Sequence, residues 1–513
     1  MIRTELIEPI DALLVRRASE HGDKVAFRDR DRAVSYRELE ERTRRLAGRL
    51  ADLGVRRGDR VALLLANGVA AVEGNLAAVR AGAIAVPINP AASAPEAVYM
   101  LSDSGAKAAI VDEDHLGIVE HAETPSLEHI VLAGPGGEGR RTLAFEELTG
   151  SGEPLPSAGA ASIDAPAWMV YTSGTTGRPK GVLLSQRGCL WVVAACWAPI
   201  VGLGPQDLVL SPLPLFHSYA IVLCIVGIVA VGATEYVCER FRAPDVIDLL
   251  GREPVTFMPG VPTMFHRLLQ AAPDGSLHCP TLRLCVSAGA IMPAALNRDF
   301  EEAFGVLVLD GYGITETSTM VTMNWPQGTR VMGSCGLPLP GSAVRIVDPS
   351  SGADQGPDED GELWVRGPHV MLGYHDNEPA TREALAGGWY HTGDLGRVDR
   401  DGFITITGRI KELIIRGGEN VYPAEVEAVL ADSPQVLDVA VAGEPDRELG
   451  EIVVAYVVAR DPSGFDERAV REHCAQELAR FKVPGRIELV EEIPRTGSGK
   501  VMRHRLAELA GVG

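Results

Sequence analysis

The 513-residue chain lacks several things, and each absence narrows what it can be. It has no excess of basic charge. Forty-eight Lys and Arg stand against 69 Asp and Glu, a formal charge of −21, which excludes a general nucleic-acid-binding surface and requires any anionic ligand to be held by local positive charge. Its eight cysteines form no C-x-x-C pair and show no zinc spacing, so buried free thiols in a reducing cytosol are expected. No apolar run is long enough to cross a bilayer; the most apolar one, 220–233, reads as a core element. The opening Met-Ile-Arg-Thr-Glu-Leu carries no apolar core of a secretory leader, and a cytoplasmic location is expected. Internal repeats and low-complexity tracts are absent too. What is present is the composition of a soluble globular protein, 46% apolar and 23% charged, at a length that calls for two or more domains.

Residues 171–181, Tyr-Thr-Ser-Gly-Thr-Thr-Gly-Arg-Pro-Lys-Gly, are the most informative stretch. Thr172, Ser173, Thr175 and Thr176 interleave with Gly174 and Gly177, and Arg178 and Lys180 follow. Glycines let the backbone turn tightly and bring its N–H groups near a ligand; hydroxyls add donors, and two cations supply charge for a polyanion. The stretch reads as a phosphate cradle. A Walker A loop is excluded, because no Lys-Ser or Lys-Thr closes a Gly-x4-Gly-Lys spacing. The apolar residues before it predict a buried strand, with the loop hanging from a sheet edge. Upstream, helical spacing at 36–53 with Ser35 as N-cap, a compact apolar run at 60–66, a second helical pattern at 69–81 and a strand pattern at 83–87 alternate. That rhythm predicts parallel sheets covered by helices. Residues 150–166, rich in Gly, Ser, Pro and Ala, read as a linker. At 336–367 the texture shifts to shorter strands and turns, a β-rich subdomain. After Lys411, about a hundred residues predict a small α+β unit.

Asp310-Gly-Tyr-Gly-Ile-Thr-Glu-Thr follows an apolar run at 306–309, so a strand again ends in a loop of polar groups. Tyr312 offers a flat face for a base, Thr315 a phosphate donor, and Glu316 a hard oxygen ligand suited to Mg²⁺. Asp394, in Trp389-Tyr-His-Thr-Gly-Asp, reads either as turn chemistry or as a carboxylate accepting both hydroxyls of a ribose. Lys500 closes the loop Pro494-Arg-Thr-Gly-Ser-Gly-Lys. It is either an exposed loop lysine or part of a cationic cluster, with Arg480, Lys482, Arg486, Arg495, Arg503 and Arg505, that meets an anionic ligand. Residues 134–139 match the dinucleotide fingerprint in spacing only and read as a surface turn. Gly417 and Gly418 are open between a plain turn and a close backbone approach.

Together these segments resemble the adenylate-forming superfamily of acyl-CoA synthetases, luciferases and carrier-protein adenylation domains, over residues 35–506. The resemblance implies an α/β fold. Its large N-terminal domain, 1–410, has parallel-rich sheets flanked by helices plus a β-rich subdomain, and a small mobile α+β domain, 411–513, carries the catalytic lysine. It implies that Thr172, Ser173, Gly174, Thr175, Thr176, Gly177 and Lys180 hold phosphates. Gly289, Ala290, Asp310, Gly311, Tyr312 and Gly313 would bind the rest of the nucleotide with Thr315, Glu316 would hold Mg²⁺, and Asp394 would take the ribose with Arg409 near it. Lys411, in Gly408-Arg-Ile-Lys-Glu, matches the interdomain hinge. Gly417 and Gly418 match the passage for pantetheine, His217 the residue bordering the acyl carboxylate, and Lys500 the catalytic lysine. Tyr219, Val261 and Gly311 would line the acyl pocket, within stretches at 191–197, 217–224, 258–264 and 288–291. These are mostly apolar with no obvious cation for a second carboxylate, so a hydrophobic monocarboxylic acid is expected. Gln186 departs from the His that many relatives carry, without functional weight.

The implied chemistry has two halves: a carboxylate attacks the α-phosphate of MgATP to give an acyl-adenylate and pyrophosphate, and a thiol then displaces AMP. CoA is the favoured acceptor, since the chain carries no fused carrier domain. Its motifs Leu101-Ser-Asp-Ser-Gly-Ala-Lys and Val86-Pro-Ile-Asn-Pro also most resemble bacterial fatty-acyl and aryl-CoA ligases. Alternatives are an enzyme loading a carrier-protein thiol, one performing only the thioester half-reaction on a supplied acyl-adenylate, a nucleotide-dependent module without turnover, and a luciferase-like oxidase. ATP, CoA and the acid are the expected partners of a monomer or homodimer that binds no nucleic acid.

Overall fold

A computed structural model describes residues 1–122, 124–134, 142–150, 162–172, 178–272, 279–417, 419–495 and 501–509. The chain divides into two compact units. The first comprises Met1–Met332, Gly336–Ala343 and Val365–Tyr390; the second comprises Gly333–Cys335, Val344–Trp364 and His391–Gly513. The second unit thus draws strands from the middle of the chain as well as its end.

The first unit is built on two sheets. One has eight strands in the order Gly373–Tyr374, Lys180–Ser185, Pro166–Thr172, Ile84–Pro87, Arg60–Leu64, Ala108–Asp112, His129–Ala133 and Thr142–Ala144. The other has nine, with Leu307–Tyr312, Leu284–Ser287, Phe257–Gly260, Leu208–Ser211, Thr234–Val237 and Val25–Arg28 running parallel at its centre. Ile84–Pro87, Phe257–Gly260 and Leu284–Ser287 are buried at every position. Strands covered on both faces must be apolar throughout, which is why these segments read as runs rather than alternations. A single core cluster reaches from Phe27 and Val61 through Trp168 to Val209 and Phe257, and so serves both sheets.

The helix Tyr36–Asp52 starts where the sequence places it: Ser35 accepts from the Glu38 backbone while the Glu38 carboxylate takes the Ser35 N–H at 2.8 Å. This capping box satisfies two of the donors that every helix start leaves open. The apolar run near 220–233 is a buried core element, made of the helix Ser218–Ala220, a π-helical stretch Ile221–Gly227 and the helix Ile228–Val231. The π-turn inside it has no local sequence signal. No helix among the described residues is long and apolar enough to cross a membrane. All eight cysteines are buried free thiols. Most of the 150–166 linker and of the 134–139 turn lies outside the described residues.

The second unit holds a four-stranded sheet, Ala343–Val347, Gly361–Arg366, Tyr390–Val398 and Ile404–Arg409. It also holds a five-stranded one in which Gly450–Ala459 is flanked by Val436–Asp446, Ile414–Arg416 and the parallel strand Arg486–Leu489. The helices Pro423–Ala431 and Glu467–Glu477 contribute Val426, Leu430, Val470 and Cys474 to a core of their own.

In the first unit, His369 is fully buried beside Ser342, and burial pushes its pKa down to about 4. The unfolded chain protonates this ring near its ordinary value while the native state keeps it neutral. Stability is therefore unaffected by His369 above about pH 6.5 and falls as the pH drops from there towards about 4, by up to about 3 kcal/mol. Urea midpoints measured from pH 7 to pH 4 are expected to decline less steeply in His369→Gln than in the wild type. Parallel curves would exclude His369 as a source of acid lability.

Candidate active site

The phosphate-loop stretch joins two neighbouring antiparallel strands. Pro166–Thr172 and Lys180–Ser185 pair with Thr172 opposite Lys180. The loop is therefore the connection of a hairpin inside the sheet, where the sequence suggested a sheet edge, because Gly373–Tyr374 adds a further strand outside Lys180–Ser185. Ser173, Gly174, Thr175, Thr176 and Gly177 lie outside the described residues. Around the stems, Asp103 accepts from Tyr171 at 2.7 Å and from Tyr99 at 3.2 Å, and the Arg178 guanidinium lies over the Tyr99 ring, 5.6 Å from its centre. Lys180 Nζ stands 5.0 Å from the centre of the Tyr374 ring, and the Tyr374 hydroxyl donates to Glu316 Oε1 at 3.1 Å. Burial and the Glu316 charge hold the Tyr374 phenol protonated. One tyrosine thus brings the cation that ends the phosphate loop near the carboxylate suited to a divalent metal. A hard cation bound by one carboxylate and completed by phosphate oxygens and water needs no more protein ligands than this.

Asp310, Gly311 and Tyr312 lie within the strand Leu307–Tyr312 rather than in a loop after it, because Gly311 and Tyr312 pair with Met323 and Thr322. The chain then makes the short turn Thr315–Thr317 and folds back, with Ser318 and Thr319 at φ of 47° and 89°. A β-branched residue with such a φ stores strain, and strain of this kind gathers at functional sites. The fold-back leaves no room at the glycines. A Cβ on Gly311 would meet Met320 Cε at 2.4 Å, and one on Gly313 would meet Thr319 O at 1.7 Å. Asp310 is buried with its Oδ1 unpartnered, and burial pushes its carboxyl upward. Buried polar atoms in native folds are almost always hydrogen-bonded, so this one calls for an explanation.

Thr315 and Glu316 sit at the start of that turn. Ser218 Oγ donates to Thr315 Oγ1 at 3.3 Å, which ties the turn to the segment of His217, whose ring packs against Phe216 with centroids 4.3 Å apart. Next along the chain, Tyr219 is buried, hydrogen-bonds Val286 O at 3.2 Å and stacks on Trp197 at 6.1 Å. Val261 is buried, and its Cγ1 would lie 3.6 Å from a Cβ added to Gly289, which takes φ of 88°. Ala290 is exposed. The thiols in this region are no nucleophiles: burial pushes Cys189 up to about 12 and raises Cys196, Cys224 and Cys285 well above the ordinary value.

In the second unit, Asp394 is in the strand Tyr390–Val398, correcting the turn suggested by its Gly-Asp dipeptide. Its register partner is Arg409, whose Nε donates to Asp394 Oδ1 at 2.7 Å. That long-range pairing overrides local turn preference. Lys411 is exposed in the turn Ile410–Glu412. Gly417, at φ of 60°, begins the two-residue connection between Ile414–Arg416 and Glu419–Val421, where a left-handed conformation favours glycine. Gly418 and Lys500 lie outside the described residues. The cationic cluster is largely committed within the unit: Lys482 pairs with Glu425, Arg486 with Glu444, Arg495 with Asp438, and Arg503 with Glu412 and Glu427. Neighbouring carboxylates thus offset much of the cluster's charge. Sequence reasoning missed Tyr374, which joins the site through contacts across the fold and carries no motif; Asp103 and Ser218 stand in stretches it singled out, Leu101-Ser-Asp and 217–224, but were given no role there.

A profile of the AMP-binding enzyme family matches residues 14–375, and that of the AMP-binding enzyme C-terminal domain matches residues 425–500. The chain is 37% identical over 97% of its length to the naringenin synthase of Pestalotiopsis fici, of which it spans only 19%. It is 34% identical to the long-chain-fatty-acid–CoA ligase of Yersinia pestis, over 98% of this chain and 94% of that one. Among solved structures, an anthranilate CoA ligase in complex with anthranoyl-AMP superposes with a TM-score of 0.90 at 30% identity, covering 98% of this chain and 97% of that one.

Proposed function

The chain belongs to the AMP-binding enzyme family and is an AMP-forming acyl-CoA ligase, and we propose that its acid is a hydrophobic monocarboxylate activated by the residues described above. The reaction has an electrostatic obstacle at its start. A carboxylate must approach the α-phosphate of ATP, and unit charges about 4 Å apart repel by roughly 4 kcal/mol at an effective dielectric of about 20. Lys500 supplies the cation that offsets this repulsion, and a preorganised charge acts most strongly where charge develops. The loop ending at Lys180 holds the departing pyrophosphate. Glu316, oriented by Tyr374, holds Mg²⁺, which neutralises phosphate charge when bound. Tyr312 stacks on the adenine, and Asp394, oriented by Arg409, accepts from the ribose. No side chain becomes acylated, because adenylation itself turns a carboxylate oxygen into a leaving group; the inert thiols agree with that.

For the second half, the C-terminal domain, 411–513, turns about Lys411, and the thiol of CoA reaches the mixed anhydride past Gly417 and Gly418. Fixing the hinge backbone by Lys411→Pro is expected to block thioester formation from a supplied acyl-adenylate while sparing adenylation. Equal loss in both assays would refute the hinge.

The observation that supports this choice of acid is that Trp197, Tyr219, Val261 and Met264, from the stretches expected to line the acyl pocket, are buried and carry no charge. Such a wall would recognise by shape and desolvation and supply no cation for a second carboxylate. Relatives acting on fatty and on aryl acids both match the chain at similar identity, so the class within hydrophobic acids is set by experiment. Purified enzyme with ATP, Mg²⁺, CoA and a panel of fatty, aryl and polycyclic acids, followed by mass spectrometry, is expected to give one thioester class with equimolar AMP. Preference for dicarboxylates would overturn the reading. Turnover of supplied acyl-adenylates alone would mean that only the second half is performed. Transfer to a carrier protein in place of CoA would change the acceptor.

Tyr374→Phe removes one hydrogen bond to the Glu316 carboxylate. Hydrogen bonds to charged groups contribute about 1.5–3 kcal/mol, so kcat/KM for ATP should fall at least about tenfold with the fold intact. An unchanged value would separate Tyr374 from the nucleotide.

A further inference from the structure

The strand-like stems on either side of residues 496–500 are each pinned by an arginine. Arg495 and Val501 form an antiparallel bridge, and the Met502 N–H donates to Pro494 O at 2.8 Å, so the chain leaves and re-enters the fold at one point. On the outgoing side, Arg495 donates to Asp438 at 2.8 Å, on the long strand Val436–Asp446. On the returning side, Arg503 is the centre of a denser arrangement. Its Nε donates to Glu412 Oε2 at 2.8 Å, one terminal nitrogen bonds Glu427 Oε1 and also Val441 O at 2.8 Å, and the other reaches Glu427 Oε2 at 3.2 Å. Its side chain keeps only 19% of its exposure. Glu427 is itself fixed, since the Val441 N–H donates to it at 2.7 Å. The three partners come from three elements: Glu427 from the helix Pro423–Ala431, Val441 from the strand Val436–Asp446, and Glu412 from the turn Ile410–Glu412, next to Lys411.

We propose that Arg503 is a positioning residue for adenylation, tying the stem at Val501, next to Lys500 in sequence, to Glu412 and Glu427. The proposal rests on the role given above to Lys500. A planar guanidinium with a fixed fork can hold two carboxylates and a carbonyl at once in defined directions, which an ammonium cannot. Lys500 is three residues from Arg503 in sequence and directly precedes Val501, which is bridged to Arg495. Displacement of a catalytic group by about 1 Å costs roughly a hundredfold in rate, so weakening the cluster should act on the lysine-dependent half-reaction before it acts on folding. The thiol half-reaction, which does not use Lys500, should be spared.

The test uses the full chain and measures the two half-reactions separately: acid-dependent exchange of pyrophosphate into ATP, and thioester formation from a supplied acyl-adenylate. Arg503→Lys keeps the charge without the fork, and Glu412→Gln removes one pole while leaving Arg503 on Glu427. Both are expected to lose pyrophosphate exchange by roughly tenfold to a hundredfold in kcat, with KM for ATP and the thiol step within about twofold of wild type. Arg468→Gln, which breaks only the exposed helical pair with Glu472, should leave both unchanged. The double variant Lys500→Ala/Glu412→Gln should exchange no more slowly than Lys500→Ala alone, since a residue acting through another has nothing left to act on. Parallel loss of both half-reactions in Arg503→Lys and Glu412→Gln, or further loss in the double variant, would show a merely structural cluster and overturn the proposal. If Lys500→Ala itself leaves exchange intact, it is the assignment of Lys500 that fails.

Discussion

Lys500→Ala is expected to lower the rate of acyl-adenylate formation by about 10²–10³-fold, the cost of removing one preorganised charge-stabilising group from a transition state. The effect should fall on kcat rather than on KM for ATP. The proposed grip on the nucleotide falls to groups on other segments, such as Lys180 and Glu316, which Tyr374 brings together, whereas the lysine is proposed to act where the carboxylate and α-phosphate meet. An interaction made only in the transition state appears in kcat and kcat/KM alike, while uniform binding appears in KM. Pre-steady-state measurement of pyrophosphate release checks this directly. A loss below about tenfold, or one confined to KM, would remove Lys500 from the chemical step. The same variant given a ready-made acyl-adenylate should form thioester at nearly the wild-type rate.

Gly313→Ala is expected to cost both stability and activity. A methyl group there would lie 1.7 Å from Thr319 O, 2.4 Å from Thr319 C and 2.5 Å from Met320 Cα. All three are backbone atoms, which cannot rotate away as a side chain does. Thr319 already stands at φ of 89°, so the fold-back has little freedom to yield. Overpacking of this kind typically costs about 1–3 kcal/mol, and displacement of the neighbouring Tyr312, Thr315 and Glu316 by about 1 Å would cost roughly a hundredfold in adenylation. Gly117→Ala is the matched control: it sits exposed in the helix Glu113–Glu120, where a Cβ would meet nothing within 4 Å. There alanine should be neutral or slightly stabilising. Thermal unfolding and pyrophosphate exchange on the two variants separate the crowding at Gly313 from a general glycine effect.

The sequence made legible what depends on neighbours along the chain. The capping box at Ser35 and Glu38 is a local pattern, and so are the apolar strand Ile84–Pro87 and the apolar run that follows Arg60 in Arg60–Leu64. What it hid depends on partners far away. Asp394 looked like a turn residue because Gly-Asp favours turns, and only its pairing with Arg409 across two strands puts it in a sheet. The cations at 480–505 looked available because their carboxylates, from Glu412 to Glu444, come from distant segments. Tyr374 had no motif at all, yet it touches both Lys180 and Glu316. The texture of the chain suggested a β-rich subdomain at 336–367, but not that Val344–Trp364 groups with His391–Gly513 across an intervening stretch.

The central claim is that an acyl-adenylate forms before any thiol is needed. The most direct measurement is exchange of labelled pyrophosphate into ATP with Mg²⁺ and the acid but no CoA. Expected is exchange that depends on the acid, with no more than stoichiometric AMP until CoA is added and thioester then appears. Exchange that requires CoA, or release of ADP and phosphate in place of AMP and pyrophosphate, would contradict it.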